Sequence, residues 1–272
     1  MNLQVLLSAM YLNDEGYIDT LNITTDAVVI NQCDREEYRD TVRAKADGNS
    51  QKIRYIETRQ RGLSKSRNMA IDAADADICI LCDNDVEYLP DYERRISEGF
   101  ARHPDADLII FYIKRKEKPV PNYPRTKRMG YLSVLKIFSP EIAFRKKSIT
   151  GIKFDERFGA GSGKYIMGEE NIFLYDCLKK GLKIYYEPVQ IASLREEEST
   201  WFTGYDERFF ISRGADYAAM SRWFSPVLIW QFALRKRAEY GKEMKTGKAI
   251  KYMFKGRREL LDSEAEPDTR NL

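Results

Sequence analysis

Five short apolar runs alternate with three stretches of helical spacing over the first 115 residues, and this alternation constrains the chain more than any other feature. The runs fall at 4–8, 27–31, 53–57, 78–82 and 108–113; helical spacing predicts helices at about 34–46, 63–74 and 90–102, the last with Pro90 at its first position. Continuously apolar strands separated by helices predict a mostly parallel sheet covered on both faces. In such sheets ligands bind beyond the C-terminal strand ends. Those ends are Ser8-Ala9-Met10, Asn31-Gln32-Cys33, residues 58–62 and Asp83-Asn84-Asp85, which should converge on one cleft.

After residue 114 the pattern changes. Residues 115–128 are rich in Lys, Arg and Pro and read as an exposed loop, followed by a strand at about 141–146 and the glycine-rich FGAGSGKYIMGEE over 158–170. A helix is predicted at 169–180, ending at Gly181, then a strand at 183–186; from Gly204 onward the chain reads as helical with a break at Ser225-Pro226. The expected division is 1–203, with halves 1–114 and 115–203, and a basic helical extension, 204–272.

Residues Cys79 and Cys82, three apart on a strand, point to opposite faces. With His103 as the sole histidine, no zinc site is expected, and Cys33, Cys79, Cys82 and Cys177 read as buried thiols of a reducing compartment. Met1 leads directly into Asn-Leu-Gln-Val-Leu-Leu without a basic region or cleavage site, and no run reaches the roughly 18 apolar residues of a membrane span. The expected location is the cytoplasm.

Three constellations carry chemistry. At the mouth of a buried strand, Asp83-Asn84-Asp85 offers hard oxygen donors suited to Mg²⁺ or Mn²⁺, although a polar turn closing a strand has the same composition. In RQRGLSKSRN, residues 59–68, a glycine, serines and basic residues open a helix, as a phosphate cradle or as a capped, solvated helix start. Gly168-Glu169-Glu170-Asn171 places two acids in a first helical turn, where the helix dipole favours them and where one can serve as a general base.

In order and spacing these segments, together with Phe154-Asp155-Glu156-Arg157-Phe158, resemble the family 2 glycosyltransferases of the GT-A fold over about residues 1–200. The resemblance implies a Rossmann-like sheet flanked by helices and inverting transfer from a nucleotide sugar, a UDP-sugar first, to a saccharide or polyprenol-linked acceptor in surface polysaccharide biosynthesis. It implies that Asp83, with Asn84 beside it, contacts the nucleoside and that Asp85 binds Mn²⁺ or Mg²⁺. Arg67, Gly62 and Leu63 would lie against the uridine and diphosphate, and the Ser8 and Ala9 backbone would line the base pocket. Glu170 would take the acceptor proton while Glu169 holds acceptor or metal.

The sequence departs from that pattern in three places. Asn31-Gln32 replaces an acidic pair, leaving an amide oxygen to accept the uracil N3-H. Glu170 stands where Asp is usual, and a histidine common after the next strand is absent from SLREEEST, 193–200, leaving Glu196, Glu197 or Glu198 to assist the metal. Tyr165, Trp201, Phe202 and Tyr205 can stack on acceptor sugars or pack in the core; Trp201 is the foremost candidate.

Between Arg222 and Arg258 eleven Lys or Arg stand against two acids, so the net charge of +3 leaves the remainder of the chain at −6. Apolar residues interleave with these cations, which fits an interfacial helix on an anionic inner leaflet, a bundle packed on the catalytic domain, or a homo-oligomer contact. Two other functions were weighed. A sugar nucleotidylyltransferase needs a glycine-rich, Arg-containing loop after the first strand, and Ser8 to Leu12 has none. Nucleic-acid binding lacks a basic and aromatic sheet face, so no nucleic acid is expected as a partner.

Overall fold

In the computed structural model, residues 1–45, 48, 50–195 and 204–265 are described. The first half runs β1 (Leu3–Met10), α1 (Tyr17–Thr20), β2 (Asp26–Gln32), β3 (Glu37–Ala44), β4 (Ser50–Thr58), α2 (Leu63–Ala73), β5 (Ile78–Asp83), β6 (Val86–Tyr88), α3 (Tyr92–Arg102) and β7 (Leu108–Lys114). The second adds β8 (Lys127–Arg128), β9 (Ile142–Arg145), α4 (Glu169–Lys179), β10 (Ile184–Leu194), α5 (Glu207–Met220), α6 (Ser225–Arg235), α7 (Arg237–Tyr240) and α8 (Thr246–Ala265).

Among the described residues the strands form one sheet in the order β3-β4-β2-β1-β5-β9-β7-β10-β6, with β8 also on β10. The pairs β1 with β2 and β5, β2 with β4, and β7 with β10 are parallel, as expected of continuously apolar strands. Strand β9 enters antiparallel between β5 and β7. Alternation along each strand feeds two cores: Leu6, Val28, Cys79 and Leu81 face one side, Val5, Val29, Ile80 and Cys82 the other. The two cysteines therefore lie on opposite faces, and all four thiols are free and buried.

Two expectations need correction. Residues 34–46 do not form a helix; 37–44 are the edge strand β3, antiparallel to β4, with Tyr38 and Val42 facing outward. The pairing with β4, remote in sequence until the chain turns back, decides the conformation over local spacing. Pro90 lies in a turn, and α3 begins at Tyr92.

Strand β10 is longer than the predicted 183–186 because it serves several partners. The register shifts between Tyr186 and Gln190, a stretch containing Pro188, which cannot donate to a ladder, and again between Gln190 and Ala192. Beyond the irregularity β10 pairs with β6, the three residues that follow Asp83-Asn84-Asp85. The aspartates thus occupy a tight turn held by the sheet at both ends.

Helices α5, α6 and α8 share the core of the half that begins at residue 115: Phe210, Leu228, Phe232, Met253 and Leu260 belong to the cluster containing Phe173 of α4. Helices α5 and α8 cross where a Cβ on Gly214 would meet Met253 O at 1.8 Å and one on Gly256 would meet Ile211 O at 1.9 Å. Only glycine admits that approach.

Candidate active site

The RGLSKSRN segment forms a seam between the two halves. Gly62, at φ +117°, sets the start of α2, and its Cα packs against Gly161 of the glycine-rich loop. The Leu63 N-H, at the helix start, donates to Ala160 O (2.9 Å), and Ser64 Oγ donates to Phe158 O (2.7 Å). Asn68 donates to Phe154 O (3.0 Å) and accepts from Phe154 N-H (2.8 Å). The Leu63 amide is thus bonded to the glycine-rich loop.

Arg67 completes the seam. Only 2% exposed, it lies over the Phe154 ring and donates from Nη1 to Glu169 Oε1 (2.9 Å) and from Nη2 to Asp83 Oδ1 (3.1 Å). Two carboxylates balance its charge, as a buried guanidinium requires. It joins the end of β5 to the start of α4 and so brings two sequence motifs within the span of one side chain. Glu169 is buried and paired with Arg67.

At the ends of β1 and β2, Ser8 Oγ accepts from Ser66 Oγ (2.8 Å), and Ala9 is buried beside it. Asn31 is 3% exposed; its amide accepts from Leu12 N-H (2.9 Å) and donates to Leu12 O and Glu57 Oε1. The Asn31 amide oxygen thus already accepts from the main chain. Gln32 donates to Gln60 O and Gly62 O, supporting the turn into α2.

Sequence reasoning passed over Tyr11. It sits just beyond β1 at φ +50°, half exposed, with Arg61 over its ring at 5.4 Å; Arg61 donates to Tyr11 Oη (3.1 Å) and to Asp34 (2.7 Å). A non-glycine residue in the left-handed region is uncommon, but sequence carries no mark of it. An aromatic residue just past a strand end was the available signal.

In the turn after β5, the half-buried Asn84 accepts from Tyr17 Oη through its carbonyl (2.8 Å), and Asp85 O accepts from Arg195 N-H (2.8 Å). Among the described residues no three His, Cys, Asp or Glu side chains gather into a metal cage. The donor set nevertheless fits a hard divalent cation that draws part of its coordination from phosphate and water. With Asp83 held by Arg67, Asp85 is the carboxylate suited to it. Glu196, Glu197 and Glu198 lie outside the described residues.

Gly168, at φ +99°, caps α4 in the left-handed conformation, and a Cβ there would stand 2.4 Å from Asp216 Cγ. Asp216 of α5 is wholly buried and accepts from Arg213 Nη1 (2.9 Å). Helix α5 therefore reaches the Gly168-Glu169-Glu170 turn. Burial, with the charge of Glu169 alongside, pushes the half-buried Glu170 carboxyl up to about 8. Burial also pushes Asp216 up to about 7 despite Arg213 beside it. Glu170 Oε1 accepts from Asn171 Nδ2 (3.1 Å), which orients it.

Tyr165 does not present a ring to an acceptor. It is 1% exposed and stacks on Phe158 with centroids 4.7 Å apart, packing the glycine-rich loop onto the core. Tyr205 packs edge-on against Phe209. Trp201 and Phe202 lie outside the described residues.

The family model described as "Glycosyl transferase family 2" matches residues 21–163, more than half of the chain. The chain belongs to glycosyl transferase family 2. This family 2 glycosyltransferase also shares its fold with solved structures of low sequence identity. Residues 1–349 of S. aureus TarS in complex with UDP are 13% identical, with TM-score 0.62 over 97% of this chain and 83% of that one. The UDP-GlcNAc complex of the same protein gives 14% identity and TM-score 0.58 over 97% and 91%. The mannosyltransferase PcManGT from Pyrobaculum calidifontis, in complex with GDP-Man and Mn²⁺, gives 14% and 0.53 over 98% and 76%. These likenesses place the glycosyltransferase in the GT-A fold. No curated protein matches it in sequence.

Proposed function

We propose that this glycosyltransferase moves a sugar from a nucleotide diphosphate sugar, a UDP-sugar first, to a hydroxyl of a saccharide or lipid-linked saccharide, inverting the anomeric carbon, in surface polysaccharide biosynthesis. The observation that carries this reading is the Arg67 bridge, which holds the Asp83-Asn84-Asp85 turn beside the Glu169-Glu170 turn. One turn suits a diphosphate donor and the other a nucleophile, and transfer requires both at one place.

The exposed Tyr11 ring offers a stacking face for the nucleobase, with the backbone of Ser8 and Ala9 beneath. Asp85 would hold Mn²⁺ or Mg²⁺, whose chemistry there is Lewis-acid neutralisation of charge developing on the leaving diphosphate. Glu170 accepts the proton of the acceptor hydroxyl as its oxygen bonds to the anomeric carbon and the bond to diphosphate breaks. A single displacement from the face opposite the leaving group inverts the centre. Burial raises the Glu170 carboxyl, which favours its proton-bearing form as the acceptor hydroxyl gives up its proton. Support for a lipid-linked acceptor comes from the basic C-terminal helices, which suit peripheral placement on an anionic inner leaflet.

The test is a panel of nucleotide sugars with Mn²⁺, scored by release of nucleoside diphosphate with and without saccharide acceptors. Metal-dependent turnover of one donor is expected; a native chain that binds and turns over none overturns the reading.

A further inference from the structure

Helix α6 is apolar on both sides. Leu228, Ile229, Phe232 and Ala233 are buried in the core, while Val227, Trp230 and Leu234 are half to two-thirds exposed, at the i, i+3, i+7 spacing of one helical face. Trp223, in the turn before α6, extends the same apolar surface and is 86% exposed. Cations bound it: Arg222 stacks on Trp223, and Arg235, Lys236 and Arg237 follow at the far end. On the other side of Trp223 a cavity of about 440 Å³ is lined by Arg222, Arg257 and Arg258 together with Phe254 and Leu261, with Asp262 its one acid. Arg257 is held there by bonds to Ser225 Oγ (3.0 Å) and Arg222 O (3.2 Å).

We infer that α6 and the preceding turn form a docking face for an anionic lipid bilayer, with Trp223, Val227, Trp230 and Leu234 in the acyl boundary and the cavity arginines on lipid phosphate. This rests on the peripheral placement proposed above and assigns residues to it. A continuous apolar stripe in a polar rim marks an interaction surface, and tryptophans beside arginines match the layering of a headgroup boundary. No helix among the described residues is long and apolar enough to cross a membrane, so attachment through this face is by surface. A second copy fits less well, since a two-fold contact through the stripe would set the cationic rim of one copy against that of the other.

Sedimentation of the full chain with vesicles of phosphatidylcholine, with or without phosphatidylglycerol, tests this at low salt. Binding is expected with phosphatidylglycerol vesicles and is expected to weaken as salt rises. The combined variant Trp223→Ser, Val227→Ser, Trp230→Ser, Leu234→Ser should lose at least about tenfold in binding, and Arg222→Gln with Arg258→Gln should lose binding to anionic vesicles selectively. Because all these side chains are exposed, thermal midpoints should stay within about 2 °C of native. A full chain that ignores the vesicles overturns the inference, as does a serine variant that binds them like native protein. If the stripe instead holds a dimer that the serine variant dissolves, with no vesicle binding, the occupant is a second copy and the inference fails. Donor turnover is measured without vesicles, so failure of the transfer reading shows separately.

Discussion

Replacing Arg67 with methionine would leave Asp83 and Glu169 facing each other with no cation between them in a largely dry seam. Breaking a buried pair by removing one partner costs about 3–5 kcal/mol, so Arg67→Met should lower the thermal midpoint by on the order of 10 °C. Calorimetry decides it; an unchanged midpoint would show that solvent already screens the bridge. Beside Glu169, Glu170→Gln keeps the shape while removing the proposed proton acceptor, and transfer should fall about 10²- to 10⁴-fold with the fold intact. The raised carboxyls also predict opposite pH trends. Glu170 and Asp216 keep protons in the folded chain at pH values where the unfolded chain has released them. Stability should therefore decline from about pH 5 to 8, and Asp216→Asn should flatten that decline. Transfer should rise across the same window, because the base must be unprotonated. A midpoint independent of pH between those limits would contradict both assignments.

Among the elements, the α5–α8 crossing is the tightest contact. Gly214→Ala or Gly256→Ala would drive a methyl into the carbonyl of the facing helix, at a cost of about 1–3 kcal/mol or more, lowering the midpoint by about 2–4 °C per kcal/mol. A thermal scan of either variant checks this, and native-like melting of both would mean that the helices sit further apart. Such a crossing was not legible beforehand, because a glycine within a helix reads as a weak point until its neighbour is known. The sheet was legible for the converse reason. Strands β1, β2, β5 and β7 carry continuous buried apolar runs, and β4 alternates with Ile53 and Tyr55 buried, so local pattern marks them. Strand β3 is half polar and exists only because β4 lies beside it, and β6 is too short to leave a periodic trace. Likewise the Gly-Glu-Glu and Asp-Asn-Asp motifs could be found in the sequence, whereas the use of Arg67 as their link depends on a contact between residues 102 apart.

For the molecule as a whole, the C-terminal helices complete a core instead of hanging from one. Removing residues 225–272 would uncover Phe210, Ala215 and Met220, which α6 and α8 help to cover. Deletion is therefore expected to yield insoluble or non-cooperatively unfolding protein, while the intact chain melts in one transition; circular dichroism of both distinguishes this from an independent tail. Point variants on the exposed face of α6 are the sound way to probe its partner. The α2 seam has a further consequence for engineering. Grafting a foreign acceptor half onto this donor half at residue 114 would sever every pairing of residues 62–68 with 154–169, so a working chimera has to exchange those two segments together. Residue 114 ends a strand inside one continuous sheet, so a junction there also parts β7 from β9 and β10.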